Sequence, residues 1–254
     1  MSGLQIQELI EAGVPFGPRS SRWHPAMAPY IHQKHNKIHV IDLRQTVRGL
    51  VRAQHFLESI CAAGHEVVFV GTKSQAREVV REQSGRCGMH FCVHRWLGGT
   101  LTNFQTISKR VAKMAEYQRM RDSGEFEAMP KKEALLLSRE LEKLERNLGG
   151  IQHMERLPDA IFVLDTVREH IAVTEANKLG IPVVAVVDTD CNPDVIQHLI
   201  PGNDDAIRSG RLLCRVVADA VEEGRYIVNA RGGDDDGPTL DGEEKAEAQT
   251  QARN

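Results

Sequence analysis

Two runs in the sequence constrain its fold more than any other feature. Val67-Val68-Phe69-Val70 and Val183-Val184-Ala185-Val186-Val187 are apolar at every position, so an extended segment at either place must bury both of its faces. A strand buried on both faces is what a parallel sheet covered by helices on each side requires. Strand-length runs, rich in β-branched residues, extend over Ile38 to Leu43, Glu66 to Val70, Met89 to Val93, Ala160 to Leu164 and Pro182 to Val187. Helical spacings separate most of them. Thr46 to Ala63 repeats apolar residues at Val47, Leu50, Val51, Leu57 and Ile60, then stops at Gly64, as a helix with a glycine C-cap does. Ser74 to Gln83, Glu169 to Leu179 and Asp204 to Glu223 behave similarly, and Asn203 or Asp204 after Pro201-Gly202 is placed to cap the last. The alternation predicts a doubly wound α/β domain over 38–103 and 151–228, with a mainly parallel sheet flanked by helices.

One stretch interrupts the alternation. Apolar residues fall at Phe104, Ile107, Val111, Met114, Tyr117 and Met120, in steps of three and four. After Asp122-Ser123-Gly124 and Pro130 the spacing resumes at Ala134, Leu137, Leu141, Leu144 and Leu148. Both stripes are narrow and heavily charged on their flanks, which predicts an antiparallel coiled-coil hairpin inserted at 104–150 and projecting from the α/β body. At ~1.5 Å per residue each arm would be roughly 25 Å or more long.

The 254 residues and 41% hydrophobic content suffice for one sizeable core or one core plus an appendage. The net charge of -3 is unevenly spread: Gly232 to Asn254 carries seven acids against Lys245 and Arg253, so the rest of the chain is at +2. With almost no large apolar residue, the segment 229–254 is expected to be a disordered acidic tail. Five cysteines make an odd count without a C-x-x-C pair, which argues against a disulfide framework and suits a reducing cytoplasm. Met1 to Gln7 has no basic cluster of the signal-peptide kind, and no run approaches the roughly 20 apolar residues of a membrane span.

The strand-to-helix loops, where an α/β enzyme keeps its site, offer little chemistry. Val70-Gly71-Thr72-Lys73-Ser74 ends like a phosphate-binding loop but has one glycine, and that glycine does not precede Lys73; a turn with Thr72 or Ser74 as N-cap is the simpler reading. No G-x-G-x-x-G follows a predicted strand, and no G-x-S-x-G elbow occurs. Cys87, His90, Cys92 and His94 suit zinc by type, but their spacing is not clean and buried cysteines are ordinary packing residues. Asp188, Asp190 and Asp194 read as turn and cap residues around Asn192-Pro193. The sequence is therefore read as that of a non-enzyme, without cofactor, resident metal or small-molecule substrate.

What remains are cations and aromatics in loops. Arg19, Arg22 and Trp23 lie in an amino-terminal segment, 1–37, without a secondary-structure pattern, followed by Lys34 and Lys37. Arg95, Trp96 and Asn103 precede the helical insertion, which adds Lys109, Arg110 and Lys113; Arg208 and Arg211 open the last helix. Cations of this kind contact phosphates and planar aromatics stack on bases, so these thirteen residues are the candidate RNA-binding set. A tryptophan is also, and more often, a packing residue.

Phe16-Gly17, Arg22-Trp23-His24-Pro25-Ala26-Met27, Phe69-Val70-Gly71-Thr72-Lys73, Arg95-Trp96-Leu97-Gly98-Gly99-Thr100-Leu101-Thr102-Asn103-Phe104, Leu157-Pro158-Asp159-Ala160 and Pro201-Gly202-Asn203-Asp204-Asp205-Ala206-Ile207-Arg208 closely resemble the bacterial small ribosomal subunit protein two family. The likeness runs in order from about Leu4 to Gly224. It implies an α/β body with a protruding coiled-coil hairpin, binding to small-subunit ribosomal RNA near the junction of head and body, and contact with other small-subunit proteins. The resemblance further implies anchoring of the messenger-binding ribosomal protein one. The chain departs from the family's usual A-G-V-H-F-G-H at Pro15 and Pro18, and from Trp-Asn-Pro-Lys-Met at His24 and Ala26. Histidine chemistry at the first two positions is thereby lost, and proline there stiffens the backbone while removing a donor.

Overall fold

The computed structural model describes residues 5–233. Five strands form one parallel sheet: β4 (Val67–Val70), β5 (His90–Cys92), β6 (Ala160–Leu164), β7 (Val183–Val187) and β8 (His198–Pro201), in the order β5-β4-β6-β7-β8. Side chains alternate across the sheet, so each central strand feeds two cores. Val67, Phe69, Ala160, Phe162, Leu164, Val184 and Val186 face α2 (Leu43–Cys61), α3 (Arg77–Arg86) and α8 (Ile207–Gly233). Val68, Val70, Ile161, Val163, Val183, Ala185 and Val187 face the opposite way, toward α7 (His170–Leu179) and the roots of α4 (Phe104–Asp122) and α6 (Lys131–Leu148). The predicted doubly wound α/β architecture is thus present, with every strand of the larger sheet parallel.

Two local expectations are corrected. The amino-terminal segment is structured: α1 (Ile6–Glu11), β1 (Phe16–Arg19), a 3-10 turn over Pro25–Tyr30 and β2 (Ile31–His35) precede β3 (Ile38–Ile41). The run at Ile38 to Leu43 does not join the parallel sheet; β3 is the centre of a separate antiparallel sheet, β1-β3-β2. Within it Ile41 N donates to the Pro15 carbonyl at 2.8 Å, and backbone bonds from Asn203 N to Val14 O at 2.9 Å and from His24 N to Thr189 O at 2.7 Å fasten the segment to the body. Proline at 15 loses a donor but keeps the acceptor this arrangement uses.

In the interruption, α4 and α6 are joined through the short α5 (Glu125–Ala128). Each buries a single stripe, Ile107, Met114 and Tyr117 on α4 and Leu141 and Leu148 on α6, and leaves Leu135 and Leu136 exposed. Polar links from Lys113 and Tyr117 to Glu140, and from Gln118 and Arg121 to Glu145, tie the pair together. α8 runs to Gly233, ten residues past its expected end at Glu223 and into the range read as tail; the rest of that tail, 234–254, lies outside the described residues. Among the described residues no helix is long and apolar enough to cross a membrane, and all five cysteines are buried free thiols.

Candidate nucleic-acid interface

Between Ala12 and Ile41 the chain contains no Asp or Glu, while it carries Arg19, Arg22, Lys34 and Lys37. The small antiparallel sheet gathers those four exposed cations onto one element. Asn36 and Lys37 link β2 to β3 with φ of 48° and 62°, the left-handed pair that a tight two-residue hairpin requires. Lys37 therefore sits at the tip in a conformation that costs a side-chain-bearing residue on the order of 1 kcal/mol. Trp23 is 43% exposed and meets the buried His39 edge to face, with ring centroids 5.5 Å apart. Burial and the Lys34 charge hold the His39 imidazole below its ordinary range, so it does not compete as a cation. Trp23 is thus held against His39 while much of its ring stays exposed.

The second group follows β5. Arg95 is exposed, but Trp96 is 5% exposed and its indole Nε1 donates to Glu175 Oε1 at 3.3 Å. That burial corrects the expectation for Trp96: its ring is a packing element and presents no face for stacking on a base. Glu175 of α7 organises the whole loop. Its Oε1 also accepts from Gly99 N at 2.7 Å, and its Oε2 accepts from Leu101 N and Thr102 N, both at 3.0 Å, and from Thr102 Oγ1 at 3.1 Å. Burial alone would raise its pKa; the amides of Thr102, Gly99 and Leu101 more than offset this and hold the carboxylate below its ordinary range. Five donors thus fix the Trp96-to-Thr102 loop on one buried anion, and with it the start of α4. Asn103 is exposed beside that start, its Oδ1 accepting from Thr106 Oγ1 at 2.9 Å.

Lys109 and Arg110 on α4 are exposed, and among the described residues neither forms an ion pair. Lys113 is committed differently: it pairs with Glu140 at 2.7 Å and lies 5.0 Å from the Tyr117 ring centroid. Arg208 and Arg211 are exposed on α8, which covers the sheet face opposite to α4. The candidate cations therefore fall into three groups and not one.

The crevice at the carboxyl ends of β4 and β6, where the strand order reverses and α/β proteins bind ligands, is filled from within. Lys73 pairs with Asp165 at 2.9 Å, Asp204 at 3.1 Å and Asp205 at 2.5 Å. Burial would lower its pKa, but the surrounding acids raise it, so the ammonium is fully charged and already neutralised by protein. Thr72 is not an N-cap for α3; its hydroxyl and amide both bond the buried Glu169. The remaining cavity, about 170 Å³, is lined by Asp188, Asp190 and the same three acids together with Lys73, Arg168, Pro18 and Val167, so that carboxylates outnumber cations, an unfavourable setting for a nucleotide phosphate. The zinc-type residues are not brought together as ligands either: Cys87 bonds Ser84 O, His90 lies 3.2 Å from Glu66, and His94 lies 3.2 Å from Arg81.

An amino-terminal basic sheet, a loop pinned by one carboxylate, a long charged helix pair and a switch-point crevice without free catalytic groups describe a scaffold. The sequence matches the family model for ribosomal protein S2 over residues 9–224. The chain therefore belongs to the ribosomal protein S2 family, whose members are structural proteins of the small ribosomal subunit and not enzymes.

Proposed function

We propose that this protein holds the small subunit together by direct, largely shape- and charge-based contact with small-subunit ribosomal RNA near the head-body junction. The observation that carries the reading is the acid-free stretch from Ala12 to Ile41, which folds into a sheet bearing Arg19, Arg22, Lys34 and Lys37, with no ion pair to any of them among the described residues. Cations left without intramolecular partners are the ones available to replace counterions on a phosphate backbone. The supported ring of Trp23 supplies a stacking surface for an unpaired base. Arg95, Asn103, Lys109 and Arg110 extend the contact along the loop and α4, with Lys113 engaging RNA only by leaving Glu140, and Arg208 and Arg211 form a separate, smaller contact.

The pair α4 and α6 serves as a coiled-coil hairpin projecting from the body. Narrow buried stripes, charged outer surfaces and packing mainly on each other and on α5 support that role. The protein works on the ribosome, in the cytoplasm, among other small-subunit proteins, and helps anchor the messenger-binding ribosomal protein one. Prolines at 15 and 18 mean that such anchoring uses no histidine at those positions.

The test is the salt dependence of binding between the full chain and transcribed small-subunit RNA. Each neutralised phosphate contributes a log-log slope of about -0.7 to -0.9. Replacing Arg19, Arg22, Lys34 and Lys37 by glutamine should flatten the slope by about 2 to 4; an unchanged slope would refute the assignment.

A further inference from the structure

The edge of the parallel sheet carries a cationic cluster that the residues assigned above leave out. Arg77 and Arg81 lie one turn apart on α3, His94 follows the edge strand β5, and Arg146 lies in the last turn of α6. Arg81 Nη2 and His94 Nε2 are 3.2 Å apart. A guanidinium can only donate, so His94 Nε2 is the acceptor, its proton sits on Nδ1 and the ring is neutral. Burial, followed by the charges of Arg77, Arg81 and Arg146, pushes His94 away from its protonated form. Arg77 is fixed in direction by donation from Nε to Thr72 O at 2.9 Å.

Arg81, His94 and Arg146 line one cleft of about 210 Å³, with Phe91 and Val93 as its apolar floor. The acid on its rim, Glu145, is already bonded to Gln118 at 2.8 Å and Arg121 at 3.2 Å. No ion pair among the described residues joins Arg77, Arg81 or Arg146 to a carboxylate. Positive charge is thus concentrated in a concave site whose one lining carboxylate, Glu145, is engaged by Arg121. Guanidinium forks suit the tetrahedral oxygens of phosphate better than any other side chain.

We propose that Arg81 and Arg146, which line one cleft with His94, form a phosphate-binding site that takes one or two backbone phosphates of RNA at the root of the α4 and α6 pair. The identity of the phosphate donor rests on the RNA-binding reading given above. His94 of the cleft immediately precedes exposed Arg95 in the chain, so the cleft lies close in sequence to the Trp96-to-Thr102 loop.

Two probes test the cleft in the full chain. The first is transcribed small-subunit RNA, with R81Q/R146Q compared with the wild type. The expected result is a salt slope flattened by about 0.7 to 1.8, one to two phosphates' worth, with a urea midpoint close to the wild type's because both side chains are exposed, neither is in an ion pair among the described residues, and the one bond lost, from Arg81 to His94, is at the surface. R48Q/R215Q, the same charge loss on α2 and α8, should leave the slope at its wild-type value, and R81K/R146K should restore most of it. The second probe is inorganic phosphate, followed by the His94 ring proton resonances; a saturable shift, absent in R81Q/R146Q, supports the cleft independently of RNA. RNA binding with an unaltered slope in R81Q/R146Q, together with no phosphate-dependent shift, would overturn the cleft and leave the RNA reading standing. A wild-type chain that binds no RNA but shows the phosphate shift would remove that reading and retain the cleft for a free phosphate.

Discussion

Glu175 gives the sharpest mutational prediction. In E175Q the side chain keeps its shape, but one of its two acceptor positions becomes an NH2 donor. The lowest-cost orientation leaves the amide oxygen facing Leu101 N, Thr102 N and Thr102 Oγ1, and turns the NH2 toward Gly99 N and Trp96 Nε1. Two donors then lose charge-assisted bonds and face another donor, and an unsatisfied buried donor costs about 1–3 kcal/mol. The expected destabilisation is about 2–4 kcal/mol, and E175A, which orphans all five donors, should cost more. Urea unfolding should show a lower midpoint with an unchanged m-value, and exchange at the amides of Gly99, Leu101 and Thr102 should accelerate most. The pH sign follows from the lowered pKa: the contribution is complete above the unfolded-state value of about 4.3 and is lost as pH falls through the lower folded value. E175Q within about 0.5 kcal/mol of the wild type at neutral pH would refute the idea that this carboxylate anchors the loop.

The acidic crevice behaves in the opposite sense. Burial, followed by the charge of Asp204, raises the Asp188 pKa, and burial with Asp165 pushes Asp204 up to about 7 despite Lys73. The folded state therefore holds protons that the unfolded chain has released, so this contribution is complete below about pH 4 and is lost as pH rises through about 7. Thermal melts should show the stability of D188N relative to the wild type improving as pH is raised from about 4, because the wild type must ionise, or keep protonated, a buried carboxyl that the amide variant does not have; a relative stability that falls with rising pH would contradict the assignment. Leu141 is 2% exposed in the stripe shared by α4 and α6, so L141A should cost about 2–5 kcal/mol. Hydrogen exchange should accelerate in α4 and α6 while β4, β6 and β7 stay protected. A methyl on Gly49 would run into the Leu199 carbonyl where α2 lies on β8, so G49A should lower the unfolding free energy measured in urea by about 1–3 kcal/mol.

The central sheet was legible because β4, β6 and β7 are apolar on both faces and nothing else explains such runs. β8 was not, because His198-Leu199-Ile200-Pro201 is short and ends in a proline, a pattern tolerated only where a strand lies at a sheet edge. The amino-terminal sheet escaped notice because Ile31–His35 shows no period-two apolar pattern, and because the segment is held to the body by backbone bonds of Val14 and His24 to residues over 150 positions away. The same distance problem governs the site. Arg95 and Lys109 are exposed as expected, but the role of Trp96 depends on Glu175, 79 residues later, and that of Lys113 on Glu140, 27 residues later. The signal that could have marked Glu175 is its position between Val173 and Ala176 on the buried face of α7, where an acid needs a partner. Arg81 and Arg146 read as ordinary charged helix residues in the sequence, because the sheet edge that brings them to one cleft joins positions 65 residues apart.

The most direct test of the central claim is sedimentation of a cell lysate through a sucrose gradient at high magnesium, with a moderate salt wash of the pooled fractions and detection of this chain by immunoblot. The account predicts comigration with the small ribosomal subunit that survives the wash and is released as salt is raised further. A peak confined to the top of the gradient would contradict it.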